Sequence, residues 1–153
     1  MRSNQSANAL ILAGSAALLG GALAFQYVGG LAPCEMCLWQ RWPHLAAILL
    51  GLLAWVLGSN RAVVALAALA TLTAGAIGAF HAGVEQQWWT GPTACSAALT
   101  GGSSADIMAQ VLATPLVRCD SVAWSLFGVS MAGWNFIVST LIAGGALWLL
   151  RRK

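Results

Sequence analysis

The chain has 153 residues, of which 59% are hydrophobic and 7% are charged, and Lys153 is its single lysine. This composition excludes an ordinary soluble domain and is typical of a protein that lies mostly in lipid. The net charge of +3 is interpreted as a signal of membrane orientation, and we infer no nucleic-acid partner from it.

Four apolar stretches are long enough to cross a hydrocarbon core, which takes about 20 helical residues. They cover roughly residues 8–28, 40–58, 61–80 and 123–149. Because lipid offers no water to backbone groups, and because the stretches lack the alternation of strands, we expect transmembrane helices. The predicted fold class is an all-α membrane protein, a bundle of four transmembrane helices that forms a single domain over residues 1–153.

The first stretch has an alternative interpretation as a cleaved signal peptide. One arginine precedes it, and Leu31-Ala32-Pro33-Cys34 loosely resembles a lipoprotein cleavage site. However, about 20 apolar residues exceed the usual signal core of about 7–15, and proline directly before the cysteine is a poor cleavage residue. A transmembrane helix is therefore favoured.

The basic residues predict the orientation, because Lys and Arg are retained on the cytoplasmic side. Two of the seven, Arg41 and Arg118, fall on the side that also carries every acidic residue and every cysteine. The other five lie at the termini or between the second and third stretches: Arg2, Arg61, Arg151, Arg152 and Lys153. We therefore expect both termini in the cytoplasm, with periplasmic loops over about 27–39 and 81–122.

The longer loop contains a run that is compatible with a helix, from Ser103 to Ala113. Ile107, Met108 and Val111 fall on one side of this run. The pattern predicts a short amphipathic helix on the membrane surface, and an irregular loop that touches the helix ends remains the alternative.

The four cysteines share the non-cytoplasmic side. Cys34 and Cys37 form a Cys-x-x-Cys pair in a loop that enters a helix, whereas Cys95 and Cys119 flank the longer loop. Unsatisfied amides at a helix N-terminus favour the thiolate, which is the attacking species in disulfide exchange, so we favour redox chemistry. A structural disulfide and a metal site remain alternatives, but the spacing carries only a weak zinc signal and we expect no metal.

Helical spacing places Cys34, Cys37, Arg41 and His44 on one face, since they are separated by three, four and three residues. Arg41 would favour the Cys37 thiolate and is suited to hydrogen-bond an anionic or carbonyl ligand. An anchor in the phosphate region of the membrane explains Arg41 equally well.

Other polar residues have plainer interpretations. His44 and His81 lie at non-cytoplasmic helix ends, where a lone histidine is more often an interface residue than a ligand. Asn135 is interpreted as a hydrogen bond between helices, and Glu85 as a solvated charge of the longer loop.

Taken together, these segments resemble the DsbB family, the quinone-linked disulfide-bond formation proteins of bacterial inner membranes, over nearly the whole chain. The segments that carry the resemblance are Pro33-Cys34-Glu35-Met36-Cys37-Leu38-Trp39-Gln40-Arg41, His81-Ala82-Gly83-Val84-Glu85-Gln86, Gly91-Pro92-Thr93-Ala94-Cys95, Cys119-Asp120 and Trp124-Ser125-Leu126-Phe127-Gly128. One departure is Gln40, where some members carry glutamate.

The resemblance implies a multi-pass, monomeric oxidoreductase of the bacterial inner membrane, with ubiquinone or menaquinone as electron acceptor and a DsbA-like periplasmic thioredoxin-fold protein as partner. It implies that Cys95 forms the mixed disulfide with DsbA and that Cys119 is its loop partner. Electrons then pass to Cys34 and Cys37, with Cys37 beside the quinone. Arg41 matches the quinone-binding arginine, and His81 falls near the quinone pocket.

Two alternative functions remain open at this point. The chain is compatible with a relative dedicated to one specialised thioredoxin-like client. It is also compatible with a non-catalytic membrane scaffold whose cysteines form static disulfides.

Overall fold

The computed structural model describes residues 2–91, 103–113 and 117–152. Its four long helices are α1, Arg2–Tyr27; α2, Glu35–Val56; α3, Arg61–Glu85; and α5, Met131–Arg151. Between α3 and α5 in the sequence come a short helix α4, Ser104–Ala113, and a two-stranded antiparallel hairpin, β1 Ser125–Leu126 with β2 Val129–Ser130. The described part of the chain is therefore predominantly helical.

Side-chain caps define where α3 and α5 begin. The side-chain oxygen of Asn60 accepts hydrogen bonds from the amides of Ala62 and Val63, at 3.0 and 3.4 Å. The hydroxyl of Ser130 accepts one from the amide of Gly133 at 3.1 Å. Each cap satisfies amides that have no partner inside the helix.

The long helices form a bundle in which α1 and α3 each pack against α2 and α5. Its interior is built largely from alanines, including Ala47, Ala67 and Ala146, which are fully buried. At Gly78 of α3, an added Cβ would lie only 2.9 Å from the carbonyl oxygen of Ala132 in α5. Small residues thus allow close approach of the helices, as they do in membrane bundles generally.

Three helices of the described residues, α1, α3 and α5, are long and apolar enough to cross a membrane. The outer surface of the bundle is apolar as well, with Leu66 53% and Leu141 69% exposed. Soluble monomers rarely present large apolar surfaces, so the protein is a helical membrane protein. Helix α2 is not among the three, and its first turns carry the polar side chains of Glu35, Gln40 and Arg41.

Four helix boundaries differ from the apolar stretches predicted from the sequence. Helices α1 and α2 begin at Arg2 and Glu35 rather than near residues 8 and 40. Helix α3 continues to Glu85 rather than ending near residue 80, and α5 begins at Met131 rather than near residue 123. The hairpin occupies the intervening residues, and its turn residues Phe127 and Gly128 have φ values of 53° and 77°. A tight two-residue hairpin turn requires this left-handed pair, and hydropathy alone did not separate its apolar residues from the helix.

Helix α4 coincides with the run for which a short helix was predicted. Its N-terminus is closed by a reciprocal pair: the Ser103 amide donates to the Asp106 carboxylate at 3.0 Å, and the Asp106 amide donates to the Ser103 hydroxyl at 3.3 Å. This capping box stabilises a helical start. A helix therefore forms over this run, and its position on the membrane surface stays a prediction.

Candidate functional site

Cys34 and Cys37 lie where α2 begins, as the sequence predicts. Cys34 is the N-cap residue, and its Sγ accepts a hydrogen bond from the Cys37 amide at 3.1 Å. The two sulfur atoms are 2.7 Å apart. Since the sulfur atoms of a disulfide are about 2.05 Å apart, a small movement suffices to bond them.

The two thiols differ in acidity, and both precede the predicted span at 40–58. The hydrogen bond with Cys37, helped by burial, raises the pKa of Cys34 above its ordinary value. The same hydrogen bond, donated by Cys34, lowers the pKa of Cys37 to about 7, against the opposing effect of burial. Arg41 contributes a smaller attraction in the same direction. Cys37 is therefore the nucleophile of the pair near neutral pH, while Cys34 keeps its proton.

A histidine completes a compact group, because the sulfur atoms of Cys34 and Cys37 and a ring nitrogen of His81 all lie within 4.8 Å of one another. Two thiolates on one tetrahedral zinc ion, with Zn–S bonds of about 2.3 Å, are separated by about 3.8 Å. The observed sulfur separation of 2.7 Å is much shorter. The geometry therefore favours disulfide exchange over a metal centre.

His81 is buried in the last turns of α3, beside the cysteine pair. Its Nε2 lies 3.6 Å from the Sγ of Cys34 and 3.9 Å from a carboxylate oxygen of Glu85. The interpretation of Glu85 as a solvated loop charge is wrong, because its side chain is only 6% exposed. The additional turn of α3 carries Glu85 into the site.

Cys119 returns from the longer loop to the same place. It is buried and packs with Cys34, Met36 and Val84 in one cluster. The structure thus brings three of the four predicted cysteines together. The fourth, Cys95, lies outside the described residues.

A cavity of about 310 Å³ opens beside the cysteine pair. Its walls come from α1, α2, α3, α5 and the segment that follows Cys119, and they are mainly apolar. The rings of Phe25 and Trp124 pack against each other in this wall, with centroids 4.9 Å apart. Cys37 and Arg41 also line the cavity.

Arg41 lines the cavity with a guanidinium group that is held in place by α1. Its Nη1 donates a hydrogen bond to the side-chain oxygen of Gln26. Its Nε is buried and has no hydrogen-bond partner among the described residues. Because the Arg41 side chain lines the cavity, its guanidinium group is suited to a ligand that carries an acceptor oxygen.

Sequence reasoning did not identify Gln26 or Gln40 as parts of the site. Gln40 lies between α3 and α5, where its side-chain oxygen accepts a hydrogen bond from Asn135 at 2.7 Å. The prediction that Asn135 bonds between helices is confirmed, since it also donates to the Ala74 carbonyl of α3 at 3.1 Å. The available signal was that polar side chains inside a membrane helix are rare and usually functional.

The fold and the site together define a class: a helical membrane protein with a partly buried dithiol at a helix N-terminus beside an apolar cavity. A family model described as "Disulfide bond formation protein DsbB" matches residues 4–149. The chain therefore belongs to the DsbB family, and the resemblance inferred from its motifs is confirmed.

Individual relatives agree with this assignment. A protein named "Disulfide bond formation protein B" from Verminephrobacter eiseniae is 36% identical over 151 residues, covering 94% of this chain and 84% of the relative. Proteins of the same name from Polaromonas naphthalenivorans and Aromatoleum aromaticum are 32% and 31% identical, covering 94% and 90% of this chain and 89% and 87% of the relatives. No solved structure matches the chain.

Proposed function

We propose that this protein is a quinone-dependent protein-disulfide oxidoreductase that reoxidises a DsbA-like periplasmic protein. The observation that carries the proposal is the position of Cys34 and Cys37. Their sulfur atoms lie 2.7 Å apart at a helix N-terminus, and Cys37 lines an apolar cavity that Arg41 also lines. Membership of the DsbB family supports the same function.

In this proposal α2 supplies the fourth membrane span, over about 40–58. Its place between α1 and α3 in the bundle supports this assignment. The excess of basic residues at the termini supports a cytoplasmic location for both, in the bacterial inner membrane. The cysteine pair, the cavity and α4 then lie at the periplasmic end, with α4 at the membrane surface.

Thiol exchange begins at the loop disulfide of Cys95 and Cys119. A thiolate of the partner attacks Cys95, and Cys119 leaves as a thiolate. Cys119 then attacks Cys34 in the second disulfide, and Cys37 leaves as a thiolate. The packing of Cys119 in one cluster with Cys34 supports this exchange. The positive charge of Arg41, which favours the Cys37 thiolate, supports the departure of Cys37 in this step.

Two further exchanges release the oxidised partner. The second thiol of the partner attacks the mixed disulfide, which frees Cys95 as a thiolate. Cys95 attacks Cys119, so that the loop disulfide forms again and Cys34 leaves as a thiolate. Cys34 and Cys37 now hold the two electrons that the partner supplied, and both sulfurs lie at the cavity.

The cavity fits a quinone head group. Its volume of about 310 Å³ lies within the usual range of ligand pockets, which begins at about 300 Å³. The guanidinium group of Arg41, at the cavity wall, supplies a donor for a carbonyl oxygen, and the apolar walls of Phe25 and Trp124 exclude water. A bound quinone supplies the acceptor for two electrons, which a partner as oxidising as DsbA, at roughly −120 mV, requires.

The test is quinone reduction by the purified full-length protein, supplied with reduced DsbA and a short-chain ubiquinone. We expect turnover in the native protein and its loss in each of Cys34→Ser, Cys37→Ser, Cys95→Ser and Cys119→Ser. Turnover retained in Cys37→Ser would contradict the electron path. A scaffold with static disulfides would show no quinone reduction in any variant.

The identity of the client is tested separately. In Cys119→Ser, Cys95 is a free thiol. Its thiolate attacks the disulfide of an oxidised partner, one cysteine of the partner leaves as a thiolate, and the mixed disulfide that forms has no Cys119 to resolve it. Trapping this species in cells and identifying the attached protein distinguishes a general DsbA from a dedicated client. A mixed disulfide with a general DsbA is the expected result.

A further inference from the structure

A chain of hydrogen bonds runs from the backbone of α3 to the ring of His81, and its direction is determined at one end. The carbonyl oxygen of Ala74 can only accept, and it lies 3.1 Å from Nδ2 of Asn135. The amide group of Asn135 is therefore oriented with its nitrogen towards α3. Its oxygen accepts a hydrogen bond from the hydroxyl of Ser139 at 3.0 Å, which agrees with this orientation.

The second proton of the Asn135 amide determines the orientation of Gln40. Nδ2 of Asn135 lies 2.7 Å from Oε1 of Gln40, so the side-chain nitrogen of Gln40 points the other way. There it donates to the carbonyl oxygen of Met36 at 3.1 Å, another group that can only accept. The carbonyls of Ala74 and Met36 can only accept, and both therefore require the same orientation of the Asn135 and Gln40 side-chain amides.

The remaining proton of the Gln40 amide points at His81, whose Nδ1 lies 2.9 Å away. The amide nitrogen of Gln40 can only donate a hydrogen bond. Nδ1 of His81 is therefore the acceptor and carries no proton. The ring is then neutral with its proton on Nε2. That nitrogen lies 3.6 Å from the Sγ of Cys34. The ring also donates to the backbone of Cys119, so Cys34 and the Cys119 backbone share the proton on Nε2.

We propose that Gln40 and Asn135 are positioning residues that hold His81 as the tautomer protonated on Nε2, so that it presents Cys34 with a hydrogen-bond donor and not with a base. The consequence for turnover rests on the proposed function. Cys34 leaves as a thiolate when Cys95 resolves its disulfide with Cys119, and a donor beside the sulfur stabilises that charge.

The residue type at position 40 decides whether Nδ1 carries a proton. A glutamate there would place a carboxylate beside Nδ1 of His81, and a carboxylate accepts hydrogen bonds without donating them. Nδ1 would then take up a proton, while Nε2 keeps its own on the side of the Cys119 backbone and Glu85. Gln40→Glu is therefore expected to convert the neutral His81 ring into an imidazolium with almost no change in side-chain volume.

The chain offers a clean spectroscopic test, because His44 and His81 are its only histidines. His44 serves as an internal reference: its Nε2 lies 2.9 Å from the Oδ1 of Asn135, which accepts, so it too carries its proton on Nε2. The protein labelled with ¹⁵N-histidine, full length and in detergent micelles, gives long-range ¹H–¹⁵N correlation patterns that distinguish the two tautomers. His44→Asn assigns the signals.

We expect both rings of the native protein to be protonated on Nε2. Gln40→Glu should give the His81 pattern of an imidazolium, protonated on both nitrogens, and leave His44 unchanged. The matched control Gln5→Glu makes the same change at an exposed position near the start of α1. It should alter the pattern of neither histidine ring. A native His81 protonated on Nδ1, or a His81 pattern that Gln40→Glu leaves unchanged, would overturn the proposal.

The native spectrum tests the proposal even where Gln40→Glu fails to fold. No quinone or DsbA is present in the experiment, so its outcome is independent of the proposed function. A protein with the expected tautomers but without quinone reduction would refute the function alone. Quinone reduction with His81 protonated on Nδ1 would refute the positioning role alone.

Discussion

The hydrogen bond from Cys34 to Cys37 predicts how fast Cys37 reacts. We compare Cys34→Ser, which keeps a hydroxyl donor, with Cys34→Ala, which has none, in a protein that also carries Cys95→Ser and Cys119→Ser. Cys37 is then the only thiol in both variants. The structure attributes the lowering of its pKa from 9.0 to about 7 chiefly to that hydrogen bond, while burial acts in the opposite direction.

The expected magnitude follows from two opposing effects. At pH 7 a thiol of pKa about 7 is half thiolate, whereas one of pKa 9.0 is about 1% thiolate, a difference of about 50-fold. The more acidic thiolate is intrinsically less nucleophilic, by about 6- to 10-fold over two pKa units. The net expectation is that Cys34→Ser reacts with iodoacetamide about five- to eightfold faster than Cys34→Ala.

The assay is the rate of alkylation in detergent between pH 5 and pH 10. Because the folded pKa is lowered, the Cys34→Ser variant should gain reactivity through a midpoint near 7, and Cys34→Ala only above 9. Above both midpoints the order should reverse, since the less acidic thiolate is the stronger nucleophile. Coincident pH profiles would refute the role of the hydrogen bond and leave the helix N-terminus as the source of reactivity.

Other predictions concern the cavity, the packing and the orientation. Arg41→Ala should raise the KM for quinone about 10- to 100-fold, the equivalent of about 1.5–3 kcal/mol for a charged hydrogen bond, and an unchanged KM in steady-state assays would support the membrane-anchor interpretation. Gly78→Ala should cost about 1–3 kcal/mol through overpacking and lower the Tm in detergent. Gly144→Ala, whose added Cβ meets nothing within 4 Å, should not, so equal Tm values would refute the packing argument. In a cysteine-free background, an impermeant maleimide should label Ser104→Cys from the periplasm and Asn60→Cys only after lysis, and the reverse would contradict the orientation.

Much of the architecture could be predicted from the sequence, because hydropathy and the Cys-x-x-Cys pair are local signals. The helix start at Cys34 and the helical run of α4 followed from such signals. The hairpin before α5 did not, since its turn depends on the left-handed backbone of Phe127 and Gly128. Hydropathy depends only on residue type and does not predict a backbone conformation.

The polar part of the site depended on contacts between helices, which a single sequence does not reveal. Gln40 is separated from Asn135 by 95 positions in the chain, yet their side chains are 2.7 Å apart. The burial of Glu85 follows from an additional turn of α3, and its charge alone suggested solvent. Helices α3 and α5 approach each other closely at Gly78. The sequence alone does not show which side chains of the site this approach brings together.

The central claim is that Cys34 and Cys37, and not the loop pair, exchange electrons with quinone. It is tested most directly in the reduced Cys95→Ser/Cys119→Ser protein, to which a short-chain ubiquinone is added anaerobically without DsbA. We predict that both remaining thiols become resistant to alkylation while one quinol forms per protein. The claim would be contradicted if these thiols stayed reactive while the converse protein, Cys34→Ser/Cys37→Ser, reduced the quinone.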